Sequence, residues 1–127
     1  MDEYEWLINE GDEAYKRDDY NKAVICYEYA FILVTDENRS KFKSILPMMG
    51  RCYRRIGNPP NVIDLATEVK QKFGREFITS VFLTTVAAAY ADMRECGNAH
   101  ICVNEAIRLE NGKISGPLRT VIDGIER

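Results

Sequence analysis

Gly11-Asp12-Glu13-Ala14-Tyr15, followed by a polar turn at Asp18-Asp19-Tyr20 and then by Ala23, Tyr27 and Ala30, is the stretch that decides the fold. Leu7, Gly11 and Ala14 recur at the spacing of one helix face, and Ala23, Tyr27 and Ala30 repeat that spacing beyond the turn. A glycine or another small residue lets two antiparallel helices come close where they cross. Asp18-Asp19 ends one helix and supplies a cap for the next. The stretch therefore predicts a helical hairpin.

Working outward, related patterns recur twice. Thirty-nine residues on stand Gly50 and Tyr53, the turn Gly57-Asn58-Pro59, then Val62, Ala66 and Val69. Forty further stand Tyr90 and Met93, the turn Gly97-Asn98-Ala99, then Cys102, Ala106 and Leu109. Pro59 and Pro60 fall at the first turn of the helix they open, where proline costs least. Gly74 is expected to stop that helix before a long one over Glu76–Cys96, and Ser115-Gly116-Pro117 to start a last short one.

Through Leu7, Gly11, Ala14, Tyr15, Tyr20, Ala23, Tyr27 and Ala30, the chain resembles the tetratricopeptide repeat family. The other two units depart from the family pattern. They have Pro59 and Ala99 where an aromatic follows the turn, and Val62 and Cys102 in place of Ala23. Their spacing also exceeds the family's ~34 residues, and a HEAT-like array of ~40–47 residues per repeat is the rival fold. The resemblance implies an all-α fold, a right-handed α-α superhelix of about seven helices. It implies a single domain over residues 1–127, with repeats at about 4–38, 43–76 and 80–112. A capping helix over 115–127 would shield the last hairpin, as such stacks require for solubility.

Composition fits that reading. A chain of 127 residues, 46% hydrophobic and 29% charged, has the profile of one globular domain. No apolar run approaches the ~18 residues of a membrane span. The start, Met1-Asp2-Glu3-Tyr4-Glu5, is acidic, unlike a secretory leader, so a cytoplasmic location and no membrane partner are expected. Cys26, Cys52, Cys96 and Cys102 form no CxxC pair, fall in or beside apolar helical patterns, and read as reduced core residues.

The sequence holds little catalytic chemistry. Its one histidine, His100, stands in Cys96-x-x-x-His100-x-Cys102, which reads as spanning a helix–turn–helix junction and lacks a fourth ligand for zinc. No phosphate-binding glycine loop is present. Asp12-Glu13 and Asp18-Asp19 read as helix surface and cap rather than paired catalytic carboxylates. No enzyme activity, no metal and no cofactor are expected.

Charge is unevenly spread. Residues 1–38 hold eleven acidic and three basic residues, a net −8, whereas residues 39–75 hold nine basic and two acidic, a net +7. In the resembling family the first helix of each hairpin lines a concave groove. Carried onto this chain, the groove positions are Asp12, Tyr15 and Lys16, then Arg51, Arg54 and Arg55, then Ala91, Arg94 and Glu95. Arginines there suit a carboxylate or phosphate, which guanidinium holds in bidentate geometry. Capture of a chaperone's C-terminal carboxylate is not expected, because Ile8, Asp12 and Pro47 replace the family's polar clamp.

The function expected is a scaffold or adaptor module binding a protein or peptide segment with anionic groups. The alternative is an accessory subunit of a ribonucleoprotein or nucleic-acid complex, touching phosphates through residues 39–75. The overall pI of about 5.2 weighs against that alternative. Pairing between copies, the acidic first repeat against the basic second, is a third reading.

Overall fold

The computed structural model describes residues 1–125, and among them all regular structure is helical. Seven helices of ten or more residues are present: α1 (Glu3–Lys16), α2 (Tyr20–Ile32), α4 (Ile45–Arg55), α5 (Pro60–Phe73), α6 (Ser80–Asp92), α7 (Cys96–Leu109) and α8 (Gly116–Ile125). A single turn, α3 (Arg39–Phe42), precedes α4, and a 3₁₀ turn spans Arg75–Phe77. The last two residues of the capping helix expected over 115–127 lie outside the described residues. No described helix is long and apolar enough to cross a membrane.

The chain divides into two compact units, Met1–Gly57 and Asn58–Arg127. The middle repeat expected over 43–76 is shared between them, with α4 in the first and α5 in the second.

In the first unit, α1 and α2 form the expected hairpin. Asp2 caps α1 by accepting the Glu5 N–H at 2.8 Å, and Asp19 caps α2 by accepting the Lys22 N–H at 3.2 Å. Between them Asp18 takes a left-handed conformation, φ 60°, and Asp19 N–H reaches back to the Ala14 carbonyl at 2.9 Å, closing a Schellman turn. Ala14, Ala23, Tyr27 and Ala30 are wholly buried. Phe42 is also fully buried, its ring centroid 5.5 Å from Phe31 and 6.4 Å from Tyr4, which seats α3 against the hairpin.

In the second unit, Gly74 ends α5 as expected, at φ 91°. The long helix expected over Glu76–Cys96 is not formed. Thr79 instead leaves helical geometry and caps α6 by accepting the Phe82 N–H at 3.2 Å, so the chain is interrupted before Ser80. That helix then stops at a left-handed Arg94, φ 63°, with Glu95 N–H donated to the Tyr90 carbonyl at 2.9 Å. The third turn is thus Arg94-Glu95, and Gly97-Asn98 lies inside α7.

The buried positions shift accordingly. Ala99, Val103 and Ala106 form the core of α7, while Cys102 is only half-buried and Leu109 is 41% exposed. Leu83, Ala87, Ala99, Val103 and Ala106 reproduce Leu7, Gly11, Ala23, Tyr27 and Ala30 at a constant offset of 76 residues. A third Schellman turn ends α7, with Asn111 at φ 54° and Gly112 N–H donated to the Ile107 carbonyl at 2.9 Å. Ser115 accepts the Leu118 N–H at 3.2 Å at the start of α8, and Leu118 packs into the core formed by Leu83, Ala87 and Val103.

Candidate functional site

On the first unit, α1 and α4 present the residues expected to bind. Tyr15 ends the exposed face of α1, and its ring meets Tyr20 edge-on, with centroids 5.7 Å apart and planes at 82°. Arg51 Nη1 donates to Tyr15 Oη across a long 3.4 Å, and the Arg55 guanidinium stands 5.8 Å from the Tyr20 ring centroid. Arg51 and Arg55 are four residues apart on one helix face and both are exposed. Two tyrosines and two arginines thus form one outward-facing cluster. Tyr20 Oη donates to Asp18 Oδ1 at 2.9 Å, and that bond pushes its phenol above the ordinary range.

Asp12 lies one turn before Tyr15 and is bound from beneath: Tyr27 Oη donates to Asp12 Oδ1 at 2.6 Å. Burial first, then this carboxylate, raises the Tyr27 phenol far above its usual value, so Tyr27 stays neutral. Asp12 also lines a cleft of about 460 Å³, together with Ile8, Asn9, Lys41 and Ser44. Tyr4 lines the same cleft, and its buried hydroxyl has no hydrogen-bond partner among the described residues.

The remaining expected residues are placed differently. Lys16 pairs with Glu13 at 3.5 Å, both well exposed, a pair worth little in water. Arg54 is half-buried beside the cluster. Ala91, Arg94 and Glu95 belong to the second unit, Ala91 in the last turn of α6 and Arg94 in the turn beyond it. The structure therefore brings together Tyr15, Arg51 and Arg55, with Tyr20 added. Tyr20 was legible only as the aromatic after a turn, because nothing in helix periodicity pairs it with an arginine 35 residues on.

No family model, curated protein or solved structure matches this chain. The cluster must be read from its own chemistry.

Cys96, His100 and Cys102 all lie on α7 rather than across a junction. Cys96 and His100 share an exposed face, whereas Cys102 lies well around the helix and is half-buried, its thiol pushed up by burial. Cys96 is therefore not a core residue, unlike the buried Cys26 and Cys52. Among the described residues no group of three or more His, Cys, Asp or Glu is placed to hold a metal ion.

Proposed function

We propose that the chain is a non-catalytic interaction module of the tetratricopeptide type, a right-handed helical stack. Its first unit would bind a partner segment with anionic groups across Tyr15, Tyr20, Arg51 and Arg55. The repeat reading is supported by the two hairpins that bury equivalent positions at a fixed offset, with a small residue at each crossing, Gly11 and Ala87.

One observation carries the binding reading: two exposed arginines are held against two tyrosines. Tyrosine and arginine dominate interface hot spots, because each buries a large area at modest entropic cost while keeping a polar edge for recognition. An arginine already oriented by an aromatic ring loses less freedom when a carboxylate or phosphate arrives.

The test is affinity capture with identification of bound proteins by mass spectrometry. Proteins retained by the native chain should be lost from an Arg51→Glu/Arg55→Glu variant whose thermal unfolding is unchanged. Undiminished capture would sink the reading. The net +7 over residues 39–75 favours a nucleic-acid reading second. That one takes over if nuclease treatment abolishes capture and if single-stranded RNA binds at low salt and dissociates steeply as salt rises.

A further inference from the structure

The second unit holds a cleft of about 670 Å³ that borders the core at Leu83. Ile78, just before α6, and Leu83, in the first turn of α6, line it. One wall is the outer face of α7, where Ile101 and Leu109 remain 66% and 41% exposed. Its lining also includes two cations, Lys70 from the last turn of α5 and Arg75 from the 3₁₀ turn.

Three cations and one carboxylate border this cleft. Glu105 is taken by Arg108, whose Nε donates to Oε2 at 2.9 Å. The side chains of Lys70 and Arg75 make no hydrogen bond or ion pair with a described residue. The Arg75 charge is felt by Glu105, but one carboxylate already paired with Arg108 leaves this border with more positive than negative charge. Exposed Ile101 and Leu109 are thus rimmed by cations, a setting that interaction surfaces share.

The shape narrows the class of occupant. Ile101, Glu105, Arg108 and Leu109 follow one helix face, so the two apolar residues stand about 12 Å apart along α7. A small anion would cover neither of them. An amphipathic helix laid along the cleft covers both, with anchors at i, i+3 or i+4, and i+7. We propose that this cleft docks a short amphipathic helix of a partner protein, with acidic residues flanking Leu, Ile or Phe anchors. It is separate from the Tyr15–Arg51 cluster and does not depend on it.

Two fluorescent helical peptides of ~14 residues, sharing Leu anchors but flanked by Glu in one and Lys in the other, test this with the whole chain. The Glu peptide should bind, shifting the amide resonances of Ile101, Arg108 and Leu109. The Lys peptide should bind at least about tenfold more weakly. A Lys70→Glu/Arg75→Glu variant should reverse that preference, and Ile101→Ser should weaken both peptides; all three positions are exposed, so the fold is retained. Equal affinity for the two peptides, resonance shifts confined to other residues, or decanoate shifting these amides where the Glu peptide does not would each overturn the proposal.

Discussion

The ring of Tyr27 lies directly over the bare Cα of Gly11: a Cβ on that glycine would stand 2.6 Å from Tyr27 Cε1 and 2.8 Å from Cδ1. Both atoms belong to a rigid, fully buried ring held at its far end by Asp12. The hairpin cannot accommodate a methyl there without separating its helices. Gly11→Ala should therefore destabilise the first unit by about 1–3 kcal/mol despite alanine's better helix propensity. Denaturant unfolding measures it. A neutral or stabilising alanine would show that the ring moves aside.

Tyr27→Phe isolates the other end of the same side chain. It keeps the ring against Gly11 and removes only the 2.6 Å donation to Asp12. A hydrogen bond to a charged acceptor contributes about 1.5–3 kcal/mol, and half-exposed Asp12 can rehydrate, so the cost should fall at about 1.5 kcal/mol. Combined with Gly11→Ala, the loss should be far from additive, because both changes act through one ring.

Arg94 sits where glycine is the favoured residue. Left-handed backbone costs a non-glycine residue about 1–2 kcal/mol, so Arg94→Gly should raise stability by about 1 kcal/mol in thermal or denaturant unfolding. Arg94→Val should lower it. If Arg94→Gly is destabilising, the arginine side chain contributes more than its backbone costs.

Alkaline pH should loosen the core from a definite side. Burial raises the Cys52 thiol from 9.0 to about 11, and raises Cys26 and Cys102 in the same direction. A thiol whose folded pKa is raised stabilises the fold fully below the unfolded value and loses that contribution as pH climbs through the folded value. Melting temperature should thus hold below about pH 9 and fall between 9 and about 11, with the slope reduced in Cys52→Ala measured against its own value at neutral pH.

The first hairpin was legible because local signals agreed: Gly11 and Ala14, the Asp18-Asp19 turn, and the Ala23–Tyr27–Ala30 ladder all point to the same crossing. Pro60 and Gly74 likewise bound α5 at both ends. The second hairpin was misregistered because its turn is made by Arg94, a residue with no turn signature, while Gly97-Asn98 supplies a convincing signature within a helix. Thr79 was hidden among neighbours that read as continuous helix. In the binding cluster, Arg51 and Arg55 were visible as charges on one face. Their partners were not, because Tyr15 and Tyr20 come to them through the crossing of α1, α2 and α4, which periodicity does not encode.

The last turn of α7 has a chemical consequence. Asn111-Gly112 is the dipeptide most prone to spontaneous deamidation, in which the glycine nitrogen attacks the asparagine side-chain carbonyl to form a succinimide. Here that nitrogen is committed to the Ile107 carbonyl at 2.9 Å, and Asn111 is fixed in a left-handed conformation. The ageing of Asn111 is thereby tied to the opening of one helix end. Mass spectrometry of stored protein should find it slower than in an unstructured peptide of the same sequence, and accelerated by any change that frays that end.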